Sequence, residues 1–227
     1  MKTFNFQIIT KDFTLEESVE YLSGIAEVAA VSSADVLQLR NKNISSRDLY
    51  DCSVFLKKKL DNLNKGGKIF LIINDRPDIA YIAGADGVHV GQEDFPADKI
   101  KKFFPNLIVG VSVKNLKQAE AAQIDGADYI GVGHLYPTSS KKDAGEIMDK
   151  EIFKHICRSV DIPVIAIGGI TADKIEELGE YGAAGAAVIS SVSNADNPLS
   201  AAKDFRIKID KFLKNNMPKI ADRNCKT

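Results

Sequence analysis

A short run of β-branched and apolar residues followed by a longer amphipathic stretch recurs about eight times along the 227-residue chain, and that rhythm limits the fold more than any other feature. A strand joined to the next strand through a helix pairs with it in parallel, because the crossover returns the chain to the same end of the sheet. The strand candidates are Phe4–Ile9, Asp35–Arg40, Ile69–Asn74, Gly87–Gly91, Ile108–Val113, Tyr129–Gly133, Val164–Gly168 and Ala186–Ser190. Eight such units predict closure into a single (β/α)8 TIM barrel, an α/β fold of roughly 250 residues. The barrel is expected over residues 1–213 as one catalytic domain. Residues 214–227 are polar, lack apolar periodicity and are expected to be a frayed tail.

The stretches between strands carry helical spacing. Leu15, Val19, Leu22 and Ile25 share one face, as do Ile175, Leu178 and Tyr181. Thr14 with Glu17 three residues on forms a capping box, and Thr171 opens the helix after the seventh strand. The phrases Ala83-Gly84-Ala85-Asp86-Gly87, Ile124-Asp125-Gly126-Ala127-Asp128 and Tyr181-Gly182-Ala183-Ala184-Gly185 are alike, each closing a helix just before a strand. They predict a repeated turn on the structural face of the barrel.

Composition narrows the function. With 44% hydrophobic and 27% charged residues the chain can bury a sizeable core and keep a solvated surface. Thirty Lys and Arg against 31 Asp and Glu leave no broad electrostatic footprint for nucleic acid or an anionic membrane, so anion binding has to be local. No apolar run reaches the roughly 20 residues of a membrane span, and Met1–Thr10 reads as a first strand, not as a signal peptide. Cys52, Cys157 and Cys225 are scattered, without a C-x-x-C pair, which suits a reduced cytoplasmic protein and assigns them no chemistry. The oligomeric state is left open, a homo-oligomer included.

In a barrel of this kind the chemistry sits at the C-terminal ends of the strands. There the sequence offers Gln38, Arg40 and Lys42; Asn74, Asp75 and Arg76; His89, Gln92, Glu93 and Asp94; Ser112; and His134, Thr138, Ser139, Ser140, Lys141 and Lys142. Alternation puts Gln38 and Arg40 on the inner face. A buried Arg40 calls either for an anionic ligand or for an ion pair with Asp75 or Glu93. Asp75 and Asp94 end neighbouring strands, where two carboxylates suit Mg2+, although an Asp after a strand often caps the next helix instead. Gly168-Gly169-Ile170-Thr171 and Ile189-Ser190-Ser191 are placed to bind a phosphate. His89 reads as a core histidine, His155 as structural, and His134 as a candidate acid or base.

Taken together, Gln38-Leu39-Arg40-Asn41-Lys42, Ile73-Asn74-Asp75-Arg76, Gly87-Val88-His89-Val90-Gly91-Gln92-Glu93-Asp94, Gly110-Val111-Ser112, Pro137-Thr138 with Lys141-Lys142-Asp143, and Ala166-Ile167-Gly168-Gly169-Ile170-Thr171 resemble, in order, the signatures of the thiamine phosphate synthases. The resemblance runs from about Phe4 to Ser191. It implies a transferase that couples a pyrimidine diphosphate to a thiazole phosphate, or its carboxylated form, by a dissociative substitution. By that resemblance Asp75 and Asp94 hold Mg2+, while Arg40, Lys42, Ser112 and Lys141 act on the diphosphate. Gln38, Asn74 and His89 surround the pyrimidine, and Thr138, Ser140, Gly169, Ile189 and Ser190 frame the thiazole phosphate. Two positions depart from the pattern. Asn41 stands where the family often has Glu. His134 stands where a small residue or Pro is usual, whereas the related thiazole tautomerases carry a catalytic His in a similar context. A tautomerase using His134 and a non-catalytic barrel that binds phosphorylated precursors are therefore the alternative readings.

Overall fold

The structure, a computed structural model, describes residues 4–63, 67–138 and 146–221, with side chains as far as Lys214. Eight strands form a closed barrel in sequence order: β1 Phe6–Ile9, β2 Val36–Leu39, β3 Phe70–Asn74, β4 Gly87–Val90, β5 Ile108–Val113, β6 Tyr129–Gly133, β7 Val164–Ile167 and β8 Gly185–Val188. All neighbours are parallel, and β8 closes on β1 with Ala186 beside Phe6. The helices α1 Ser18–Val31, α2 Ser46–Leu63, α3 Pro77–Ile82, α4 Ala97–Phe103, α5 Leu116–Ile124, α6 Lys150–Ser159 and α7 Ile175–Glu180 fill the connections, a single 3-10 turn preceding α7. A short α8 Ser190–Ser193 follows β8, and α9 Pro198–Ala221 ends the described chain. None of the described helices is long and apolar enough to cross a membrane.

Alternation along each strand splits the core in two. Leu37 and Leu39, Leu71 and Ile73, Val88 and Val90 face outward into the layer between sheet and helices. Phe4, Val36, Ile72, Ile108, Tyr129 and Ile165 face inward and fill the lower barrel. Tyr129 is wholly buried there, its ring centroid 5.0 Å from that of Phe4. Gly110 makes this possible, since a Cβ at that position would lie 2.2 Å from Tyr129 Cζ and 2.5 Å from His89 Nδ1. Above this apolar plug the inward positions turn polar, as Gln38, Asn74, His89 and Ser112.

The lower rim is built from a repeated turn, as the glycine phrases predict. Gly84, Gly126 and Gly182 all have positive φ, and the residue after each donates its amide to the carbonyl five residues back. A fourth copy escaped the sequence because it lacks glycine: Ser33 has φ 55°, and Ala34 donates to Ala29 in the same way. Each of Asp35, Asp86 and Asp128, just before an even strand, accepts the amide of Phe6, Leu71 or Val109 on the preceding odd strand at 2.8, 3.0 and 2.7 Å. A cation attends each carboxylate: Arg206, Lys68 and Lys101. Before β8 the position is Ala184, and Asn5 Nδ2 reaches its carbonyl instead.

Two expectations shift. Thr14 and Glu17 do exchange reciprocal hydrogen bonds, at 3.4 Å, but regular helix begins only at Ser18. The described helix α9 also runs past Leu213, where fraying was expected, to Ala221.

Ser33→Gly is expected to raise stability by about 0.5–1 kcal/mol by relieving a left-handed backbone on a side chain, seen as a higher midpoint in thermal unfolding. Gly110→Ala is expected to lower stability by about 1–3 kcal/mol through overpacking against Tyr129 and His89; an unchanged midpoint would mean the barrel interior has slack that these distances deny.

Candidate active site

At the upper end of β2, Gln38 and Arg40 are 2% and 7% exposed, facing inward as expected. Thr10 Oγ1 accepts the Arg40 amide at 2.8 Å and donates to the Arg40 carbonyl at 2.7 Å, fixing the strand end to the first loop. The expected partner of the guanidinium, Asp75 or Glu93, is wrong. Arg40 Nη1 pairs with Asp12 Oδ1 at 3.2 Å, and the same oxygen accepts the Lys42 amide at 3.2 Å. The loop after β1 supplied this carboxylate, and its place after a strand end was the signal that could have found it. Asn41 is buried in a local role, donating to the Phe13 carbonyl at 2.8 Å and accepting the Asn43 amide at 3.0 Å.

Asp75 and Asp94 do converge. Neither caps a helix: Arg76 precedes α3 and Pro96 precedes α4. Asp75 sits at φ 64°, with its amide donated to the His89 carbonyl at 2.8 Å, which turns its carboxylate toward Asp94. Asp94 Oδ2 is fixed by the Gly91 amide at 2.7 Å. Burial, and then the facing Asp94 carboxylate, raise the Asp75 acid above its ordinary 3.8, while Lys42 Nζ at 3.4 Å pulls the other way without prevailing. A net penalty on the ionised pair is what a hard divalent cation would remove. Among the described residues no third acid, His or Cys joins them, so further ligands would be water or substrate oxygens. Arg76 turns away, bonding Asp78 and Ser46.

His89 bridges Tyr129 OH at 3.1 Å on Nδ1 and Ser112 Oγ at 2.9 Å on Nε2. It is a satisfied buried histidine, as its strand position suggests, yet it ends on a pocket residue. Burial raises the Tyr129 phenol, so it stays protonated.

One cavity of about 600 Å³ opens at the top of the barrel. Lys42, Asp94 and Ser112 line one side, and Thr138, Gly169, Ile189 and Ser190 the other. Gly168 and Gly169, both at positive φ, let the turn after β7 pack against its neighbours: a Cβ on Gly169 would lie 2.5 Å from the Pro137 carbonyl and 2.7 Å from that of Tyr136. His134 lies on the wall, its Cβ pressed on Gly168. Gln38, Arg40, Asn74, Asp75 and His89 stand behind the lining without forming it. Ser139, Ser140, Lys141 and Lys142 lie outside the described residues. Lys114 and Gln118, after β5, line the cavity and escaped the sequence reading, which stopped at Ser112. His155 is exposed on α6, and Cys52 and Cys157 are buried fillers in α2 and α6.

A model of the thiamine monophosphate synthase family matches residues 8–192. The chain belongs to that family. It is 43% identical over 197 residues to the thiamine-phosphate synthase of Methanobrevibacter smithii, covering 85% of this chain and 92% of that one. The synthase of Ruminiclostridium cellulolyticum is 44% identical over 200 residues, 87% and 90% of the two chains. A solved thiamine phosphate pyrophosphorylase from Pyrococcus furiosus superposes with a TM-score of 0.80 at 33% identity, covering 93% of this chain and 98% of that one. The family match thus spans the barrel whose upper rim carries both the acid pair and the glycine turn.

Because the folded-state value of Asp75 is raised, its burial beside Asp94 costs nothing well below pH 3.8; the cost grows as pH rises from 3.8 to the folded value and is full above it. Asp75→Asn, which tolerates the left-handed backbone, is expected to raise the unfolding midpoint at pH 7 in chelator and to lose that advantage near pH 4. Added Mg2+ should raise the midpoint of the parent protein and not of the variant. A lower midpoint for Asp75→Asn at pH 7 in chelator would contradict a strained acid pair.

Proposed function

We propose that this cavity joins 4-amino-2-methyl-5-hydroxymethylpyrimidine diphosphate to hydroxyethylthiazole phosphate, or its carboxylated form, giving thiamine phosphate and diphosphate. The observation that carries this reading is the pairing, in one cavity, of Asp94 and Lys42, with Asp75 behind them, and a glycine turn on the opposite wall. One end suits a metal-bound diphosphate and the other a monophosphate. Mg2+ held by Asp75 and Asp94 would supply the positive charge that favours a departing diphosphate.

The chain's own residues do the rest. Lys42 is held over the acid pair at the cavity wall and Arg40 is braced by Asp12 behind it, so the leaving group meets fixed positive charge, Lys42 first. A protonated Tyr129 donates to His89 Nδ1, which leaves Nε2–H to donate to Ser112. The Ser112 hydroxyl is then free to donate its own proton to a diphosphate oxygen. Lys141 takes the same role by family resemblance. Gln38, Asn74 and His89 surround the pyrimidine from the inner face, and Thr138, Ser140, Gly169, Ile189 and Ser190 hold the thiazole phosphate. The C–O bond to the pyrimidine methylene breaks with its electron pair going to diphosphate, and the thiazole nitrogen lone pair forms the new C–N bond. Cys52 and Cys157, both buried, suit a reducing compartment such as the cytoplasm.

The tautomerase reading rests on His134, which does reach the cavity wall. Among the described residues no side chain holds its ring in one tautomer, and the acid pair would have no task in that chemistry. A passive binder would equally have no use for it.

Purified protein given both substrates is expected to form thiamine phosphate only with Mg2+, and Asp94→Ala to lower the rate by about a hundredfold or more. No product from the parent protein with Mg2+ present would reject the reading. Tautomerisation abolished by His134→Ala would replace it.

A further inference from the structure

Outside the cavity, a cluster centred on Glu177 of α7 has no part in the chemistry above. Its Oε2 accepts a hydrogen bond from Tyr136 OH at 2.7 Å, and its Oε1 takes the Lys150 ammonium and the Tyr181 hydroxyl. The Lys150 and Lys174 ammonium groups also lie 5.5 and 5.7 Å from the centre of the Tyr136 ring. Lys150, then the two phenols, draw the Glu177 carboxyl down to about 2, so it is ionised throughout the physiological range. An exposed ion pair alone contributes little. Here one carboxylate of α7 ties three side chains, from the segment after β6, from α6 and from the residue that follows α7, and α7 is anchored by Ile175 and Leu178 in the core.

What the cluster grips is the support of the phosphate turn. The Tyr136 amide donates to the Gly168 carbonyl at 3.2 Å. The carbonyls of Tyr136 and Pro137 crowd Gly169 so closely that no Cβ could be inserted between them. The next residue, Thr138, lines the cavity. A shift of Tyr136 therefore moves the glycine turn and Thr138 together, and does not reach Lys42 or the acid pair on the far side of the barrel.

We propose that Glu177 is a positioning residue for the thiazole phosphate: by holding Tyr136 it sets the Gly168–Gly169 turn and Thr138 at the spacing that the phosphate requires. The proposal rests on the synthase reading and adds that binding of one substrate is braced from α7, a helix that does not itself touch the ligand.

The test is steady-state kinetics of the full chain with Mg2+, varying each substrate in turn, for Tyr136→Phe, Glu177→Gln and Tyr181→Phe. Removing one hydroxyl in Tyr136→Phe is expected to raise KM for the thiazole phosphate roughly three- to tenfold and to leave KM for the pyrimidine diphosphate within about twofold. Glu177→Gln should behave alike, and Tyr136→Phe made on top of it should add little. Tyr181→Phe, which removes a bond to the same carboxylate but touches neither glycine, should leave both constants within about twofold of the parent. Equal rises in both KM values for Tyr136→Phe, or no change in either, would overturn the proposal. If Glu177→Gln does not fold, Tyr136→Phe decides alone. An inactive parent protein would defeat the synthase reading instead, and calorimetric binding of inorganic phosphate to the parent and Tyr136→Phe would then decide the bracing: weaker binding by the variant supports it, equal binding rejects it.

Discussion

Closure of the sheet between β8 and β1 is the constraint from which the site follows. Once eight parallel strands meet, every second residue points into a space of fixed size, and side chains from opposite walls compete for it. The chain resolves that competition by letting Tyr129, Phe4 and Phe70 fill the lower interior while glycine stands opposite, as at Gly110. The apolar plug excludes water from below. Polar groups at the next level up, Gln38, Asn74, His89 and Ser112, can then face a ligand from above without a channel beneath them.

The plug also carries chemistry upward. Tyr129 belongs to the packed interior, yet its hydroxyl ends on His89, and His89 ends on Ser112 at the cavity. A phenol wholly surrounded by apolar groups keeps its proton and must donate it to something. The acceptor that the described structure offers is the imidazole, so the packing of a phenol two layers down bears on the hydrogen-bond direction at a cavity-facing serine.

The fold was legible because its evidence repeats. Strand after strand shows the same apolar run, and three helix ends show the same glycine phrase, so errors of a residue or two at each strand end do not change the architecture. Ser33 shows where repetition fails as a guide: the turn is the same and the residue is not, because exposed backbone tolerates modest strain that no sequence pattern marks. Cavity-lining residues were legible in or soon after a strand, as at Asp94, Ser112 and Gly169. The site was illegible where contact depends on which loop leans inward. Asp12, Lys114 and Gln118 sit in loops or on the helix beyond a strand end, and the partner of Arg40 could not be chosen among several nearby acids without the loop after β1 in place. Glu177 was invisible for another reason, since its partners lie far apart in the chain.

The carboxylates at the lower rim have a meaning for how such a chain can be lengthened or cut. Asp35, Asp86 and Asp128 each stand before an even strand and hold the odd strand that precedes it, so each joint belongs to a pair of strands and to no single one. The smallest repeat that keeps joints whole is therefore strand, helix, strand and helix. Removing or duplicating that segment leaves every remaining joint intact, whereas moving by one strand and one helix would set each acid against the wrong neighbour. The lower rim thus counts in twos, while the upper rim, where each strand end bears a different side chain, counts in ones.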